Sequence, residues 1–165
     1  IARGIDREQK HLQNLLKETH QHSGTSFLEI YQNCWVFNDG AFANLTDKEI
    51  KMETQLILEH GKPMIFGKGN NKGMRLAGAK LEVVVIGETS SMDDILVHDE
   101  SNKIQGLLLS ELTHKDGFPT PIGVIYREDK PTYENLMYNQ MDKAINLQGE
   151  GDLNTLFRNG HTWKV

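Results

Sequence analysis

Residues 26–32 read Ser-Phe-Leu-Glu-Ile-Tyr-Gln, an extended segment in which Phe27, Leu28, Ile30 and Tyr31 are apolar on both faces. A strand dry on both faces is expected inside a parallel sheet that helices cover on either side. Just before it, residues 6–22 set Leu12, Leu15 and Leu16 at helical spacing among charged and amide residues. The spacing predicts an amphipathic helix with Asp6 as N-cap and Gly24 as its stop. Helix followed by buried strand is half of a βαβ unit. A single strand makes no stable sheet, so its partners are expected upstream of Ile1. The start at Ile1, with the helix-opening run Asp6-Arg7-Glu8-Gln9 close behind, is read the same way, as a fragment beginning in mid-fold. Thr162, Trp163, Lys164 and Val165 have neither tag nor linker composition and are read as a natural terminus.

The rest of the chain alternates both kinds of element. After a turn at Asn38, Asp39 and Gly40, Thr46 and Glu49 have the spacing of a capping box, which predicts a helix over residues 46–59 closed by Gly61. A short strand is expected over 62–67 beside Pro63, then a Gly- and Asn-rich loop over 67–73, then a strand over 81–86 between Gly78 and Gly87. Residues 101–112 carry Ile104, Leu107, Leu108 and Leu112 on one helical stripe. Pro119 and Pro121 mark an extended lead into a strand over 122–126. Pro131 opens the last long helix, striped by Tyr133, Met137, Met141 and Ala144 with Ile145 alongside, and a short helix over 152–158 ends at Gly160. The fold class is α/β, mixed throughout, without internal repeats.

Composition removes several kinds of function. At 165 residues and 38% hydrophobic content the chain holds one core, with at most a small appendage. Its apolar runs, such as Val83 to Ile86, are far shorter than the roughly 20 residues that cross a bilayer, so no membrane segment is expected. A net charge of -5 with interspersed signs argues against a nucleic-acid partner. One cysteine, Cys34, rules out an internal disulfide, and with no apolar secretory segment the expected compartment is the reducing cytoplasm.

Cys34 follows the carboxyl end of the predicted strand, where open α/β sheets place their ligands. From spacing alone it is either a small buried hydrophobe or a ligand or nucleophile, and a 4Fe-4S cluster would need thiolates beyond this chain. The loop Gly67-Lys68-Gly69-Asn70-Asn71-Lys72-Gly73 could cradle phosphate, but it lacks the Gly-Lys-Ser/Thr ending of a P-loop and reads better as a connection between strands. Gly149, Glu150, Gly151, Asp152 and Asn154 faintly resemble the Gly-Asp-Gly and distant Asn that hold magnesium and diphosphate in thiamine enzymes. The Asn spacing is wrong, and a turn and helix cap is the reading adopted. His98, Asp99 and Glu100 are consecutive, cannot all face one ion on regular backbone, and read as exposed loop polarity. Met137 and Met141 read as core or subunit interface, not a copper site. His11, His20, His22 and His60 lie on helix faces or ends, where solvation or C-terminal capping suffices. No catalytic residue stands out.

The run Phe27-Leu28-Glu29-Ile30-Tyr31-Gln32-Asn33-Cys34-Trp35-Val36-Phe37-Asn38 resembles the segment that closes the thiamine domain in β subunits of 2-oxoacid:ferredoxin oxidoreductases, the 2-oxoglutarate branch best. Ala2-Arg3-Gly4 and the first helix are similar to the same family. So are residues 60–67, His-Gly-Lys-Pro-Met-Ile-Phe-Gly, then 96–100, Leu-Val-His-Asp-Glu, and 119–127, Pro-Thr-Pro-Ile-Gly-Val-Ile-Tyr-Arg. The resemblance implies the C-terminal half of such a subunit. Residues 1–44 would be the last helix–strand unit of the thiamine-diphosphate-binding α/β domain, and 45–165 a small α+β C-terminal extension.

It further implies oxidative decarboxylation of a 2-oxoacid on thiamine diphosphate with Mg2+, acyl transfer to coenzyme A, and electrons passed through a 4Fe-4S cluster to ferredoxin. The partners implied are the α subunit and ferredoxin, within an oligomer. In the family the diphosphate motif and the other cluster cysteines precede this region, so the piece alone is expected to be inactive and to bind no cofactor. The cysteine matching Cys34 is the remaining cluster ligand, which makes Cys34 the implied cofactor and metal residue. Many members have Pro where this chain has Asn33. The competing reading is a non-catalytic assembly or subunit-interaction module that has kept the fold without the chemistry. A thiamine dehydrogenase passing acyl groups to lipoamide comes third, disfavoured by the cysteine context.

Overall fold

The computed structural model describes residues 1–112, 117–160 and 163. The chain divides into two compact units, Ile1–His22 with Ser26–Glu128, and Ser23–Thr25 with Asp129–Val165.

The first unit opens with strand β1 (Ala2–Ile5), which the helix-weighted reading of the N-terminus missed. Helix α1 (Gln9–Gln21) and strand β2 (Leu28–Tyr31) follow. β2 pairs parallel with β1, Ala2 opposite Leu28 through Ile5 opposite Tyr31, so the βαβ unit is complete within the chain. The partner sought upstream of Ile1 is therefore β1. Asp6 does not cap α1: its N–H donates to Tyr31 O, 3.1 Å away, in the turn between β1 and the helix, and no side chain caps α1. Gly4 lets α1 lie close on the sheet, because a Cβ there would stand 3.1 Å from Leu12 and 3.3 Å from Leu15.

The predicted helix over residues 46–59 is not formed. That stretch holds two single turns, α2 (Ala43–Thr46) and α3 (Lys51–Thr54), and then strand β3 (Gln55–Ile57). Thr46 is the last residue of α2, its hydroxyl donating to Phe42 O, and the Glu49 amide donates to Asp47 Oδ1, so no capping box exists there. The decisive competitor is the sheet. Gln55-Leu56-Ile57 pairs parallel with Thr120-Pro121-Ile122 and buries Leu56 completely, and an amphipathic helix would have forfeited those ladder bonds. Among the described residues a capping box forms at Ser91 and Asp94, around a 3-10 turn.

Strands β4 (Ile65–Phe66), β5 (Lys72–Ala77) and β6 (Lys80–Val85) make an antiparallel sheet in that order, with Gly78 at φ 62° in the hairpin turn. Helix α4 (Lys103–Glu111) follows, capped by the Asn102 side chain, then strand β7 (Thr120–Val124). The buried side of α4 is Gln105, Gly106 and Leu109, with Leu112 just past its end. The predicted stripe is thus rotated: Ile104 and Leu107 are exposed, because Gly106 must meet Tyr126 at contact distance and Gln105 must reach a buried histidine.

β7 runs antiparallel to β1 and parallel to β3, giving a mixed sheet of order β2-β1-β7-β3. Gly123, at φ 125°, permits that junction, since a Cβ there would fall 2.7 Å from Leu58 O. One core gathers Leu56, Leu58, Met64, Phe66, Met74, Leu81, Leu109, Leu112 and Ile125; a smaller one joins Ile5, Leu45 and Ile122. β2 lies at the sheet edge and is not dry on both faces, with Phe27 62% and Ile30 42% exposed.

The second unit carries helix α5 (Tyr133–Gln148), capped by Thr132, and helix α6 (Leu153–Phe157), capped by Asp152. Of the C-terminal residues, Thr162, Lys164 and Val165 lie outside those described.

Candidate functional site

Three residues beyond β2, Cys34 opens a tight loop. Its carbonyl accepts the Asn38 N–H at 2.9 Å, and its Sγ accepts the Phe37 N–H at 3.4 Å. Backbone N–H groups of Phe37 first, then Val36 and Asn38, point at the sulfur and hold the thiol below its usual range, the thiolate being the form they favour. Cys34 is half-buried and takes no part in either apolar core. The bland reading of a packed, buried cysteine therefore does not describe it.

Asn33 braces this loop from the other side. Its amide nitrogen donates to Asp39 Oδ1 at 2.9 Å, and its carbonyl oxygen accepts the Gly40 N–H at 2.8 Å. Those two bonds restrain the lead into Cys34. Between the braces, Trp35, Val36 and Phe37 stand 74%, 81% and 91% exposed. Beneath, Arg3 Nε donates to Glu29 at 2.6 Å with the guanidinium 5.4 Å from the Tyr31 ring, and Tyr31 stacks on Phe42 with centroids 4.6 Å apart. That group fixes β2 at its exit. The sequence reading marked Asn33 as a departure from the family pattern but gave Arg3 and Tyr31 no role here, since the pairing of Arg3 with Glu29 on the neighbouring strand is readable only once the register is known.

The other candidates lose their chemistry to structure. His98 is 1% exposed, not loop polarity: its Nδ1 lies 3.0 Å from Gln105 Oε1 and its Nε2 2.8 Å from Val124 O. The expectation of exposure fails because the buried ring ties α4 to β7. Asp99 is engaged by the Ser101 hydroxyl and amide, which hold its carboxyl below the ordinary range. The Gly67–Lys72 connection offers no empty anion seat, because Glu53 occupies it, accepting the Lys68 amide and the Lys72 ammonium at 2.8 Å each. Asp152 is spent as a helix cap for Thr155, as the sequence predicted. His11 departs from the solvated reading: it is partly buried, Nδ1 has no partner, and desolvation lowers its pKa.

Among the described residues no three His, Cys, Asp or Glu side chains converge as a metal site. Cys34 presents a single sulfur with backbone N–H donors already on it. Asp152 in the Gly149–Asn154 stretch caps α6.

Comparison with known proteins bears on what such a loop serves. The chain is similar from end to end to 2-oxoglutarate oxidoreductase subunit KorB of Mycobacterium tuberculosis. The two are 30% identical over 169 residues, covering 100% of this chain and 45% of KorB. The similarity to that subunit runs along the whole chain, and the chain spans less than half the length of KorB. The mixed α/β architecture agrees with that class of subunit. No protein-family model matches the chain, and no solved structure matches it.

Proposed function

We propose that this chain is the C-terminal portion of the β subunit of a 2-oxoglutarate:ferredoxin oxidoreductase. The observation that carries the proposal is the end-to-end similarity to KorB. In this reading residues 1–44 close the thiamine-diphosphate-binding domain and 45–165 form the subunit's extension. The partners are the α subunit, ferredoxin, coenzyme A and a 2-oxoacid, and the compartment is the cytoplasm. Among the described residues no helix is long and apolar enough to cross a membrane.

Thiamine diphosphate with Mg2+ supplies the decarboxylation and a 4Fe-4S cluster the electron path, both in the assembled enzyme. This chain's share is to present the Cys34 sulfur as one cluster ligand. The Phe37 and Val36 amides favour its thiolate form, and Asn33 and Asp39 hold the loop that carries it. The chain alone is proposed to be inactive and to bind thiamine diphosphate weakly or not at all. Activity is tested by supplying the complete β subunit with its α subunit, 2-oxoglutarate, coenzyme A and ferredoxin. Acyl-CoA formed in step with reduced ferredoxin is the expected result, and assembly without turnover favours the non-catalytic interaction module. Calorimetry on the isolated chain with thiamine diphosphate and Mg2+ should show no tight site; stoichiometric tight binding overturns that part.

A further inference from the structure

His98 is 1% exposed, and each nitrogen of its ring faces a carbonyl oxygen. Nδ1 lies 3.0 Å from Gln105 Oε1, and Nε2 lies 2.8 Å from Val124 O. The main chain decides which end of the Gln105 amide meets the ring. Its Oε1 accepts the Asp99 N–H at 2.8 Å, and its Nε2 donates to Val97 O at 3.0 Å. Turning the amide over would set N–H against N–H at Asp99 and oxygen against oxygen at Val97, so the oxygen stays toward His98. The Val124 carbonyl can only accept.

A neutral imidazole donates from one nitrogen and accepts at the other. Either tautomer therefore leaves a ring lone pair against an oxygen lone pair, at 2.8 Å or at 3.0 Å, in a place closed to water. Only a ring with a proton on each nitrogen satisfies both oxygens. The opposing cost is that of burying a cation. In compensation both N–H groups are met, and a hydrogen bond to a charged group shifts an equilibrium by about tenfold or more. Asp99 is the next residue, its carboxyl held low chiefly by Ser101 and in smaller part by His60 and His98. His60 Nδ1 stands 3.9 Å from that carboxylate. Of the other elements packed on His98, α4 brings uncharged Gln105 and β7 the Val124 carbonyl. Residues 61 and 62 bring main-chain groups, the Gly61 N–H donating to His98 O and the His98 N–H to Lys62 O.

α4 joins the larger core through Leu109, and β7 is an inner strand of the mixed sheet. We infer that His98 is a cationic clasp between α4 and β7: the charged ring holds both elements, and on losing one proton it must let one of them go. The clasp is complete in mild acid and weakens as pH rises past the ordinary histidine value of about 6.5. Ring-nitrogen magnetic resonance at about pH 7, where a histidine of an unfolded chain is mostly neutral, tests it directly. Most folded molecules should carry a proton on both His98 nitrogens, and most molecules in strong denaturant on one. Urea unfolding of the parent beside His98→Gln supplies a second readout. Every other titrating group is common to the two chains, so their difference isolates His98. Between about pH 6 and 8 the folding equilibrium constant of the parent should fall roughly tenfold further than that of the variant. A bare nitrogen on His98 in most folded molecules at about pH 7, or parallel pH dependence of the two chains, overturns the clasp. If His98→Gln does not fold, the resonance measurement on the parent alone decides.

Discussion

Cys34 gives up its proton more readily than an ordinary cysteine because the amides of Phe37 and Val36 point at its sulfur. Folding depresses this pKa, so the folded chain holds more thiolate near neutral pH than the unfolded chain does. Alkylation by iodoacetamide should therefore reach half its maximal rate at a lower pH in buffer than in strong denaturant. Coincident profiles would show that the loop does nothing to the thiol. His11 gives a second titration. Burial lowers its pKa, so the unfolded chain binds a proton first, and stability is lost as pH falls below about 6.5, the usual histidine value. The depressed carboxyl groups of Glu8 and Glu53 act in the same direction at lower pH, below the usual carboxylate range. Urea midpoints of His11→Gln should stay flat between about pH 6.5 and 5 while those of the parent decline; parallel slopes would contradict this account. The sequence displayed Cys34 plainly, since it is the chain's single cysteine after an apolar strand. Asn33 was not legible as its brace, because a bond to Asp39 and Gly40 across six and seven residues depends on the loop's closure.

At the level of elements, local signals succeeded where they acted alone. Asp152 caps α6 and Thr132 caps α5 close to the predicted starts, because each cap needs only its own next turn. The prediction failed over residues 46–59, where it rested on the Thr46 and Glu49 spacing alone, whereas Leu56 and Leu58, two residues apart, have the spacing of a strand and pair with β7 or pack in its core. β1 was missed for a related reason: four residues are too few to show periodicity. The β3–β7 junction yields a sharp test at Gly123, where a side chain meets both a positive φ and the Leu58 carbonyl. Gly123→Ala should cost about 2–4 kcal/mol by urea unfolding. Gly78→Ala, in open space at φ 62°, should cost only about 1 kcal/mol. Equal costs would mean that strain alone, and not close approach, governs Gly123.

For the molecule as a whole, the first unit has two apolar cores and closes its own βαβ unit, yet β2 keeps an open edge beside exposed Phe27 and Ile30. An unpaired edge flanked by apolar side chains favours association. Light scattering on the isolated chain should show mass rising with concentration, and a strictly monomeric species at high concentration would count against that. The resemblance to the oxidoreductase subunit was legible because its segments recur in order along the sequence, from Ala2-Arg3-Gly4 through the Cys34 run to residues 119–127. How those segments share one sheet was not, since β7 joins β1 across more than half the chain and β3 across roughly 65 residues.

The role proposed for Cys34 is to supply one thiolate of the enzyme's cluster. Iron analysis with electron paramagnetic resonance on the anaerobically purified αβ enzyme tests it most directly, comparing wild type with Cys34→Ala. Removing the sulfur should lower iron content or alter the cluster signal and slow ferredoxin reduction, with decarboxylation less affected. Unchanged iron together with an unchanged signal would contradict the claim.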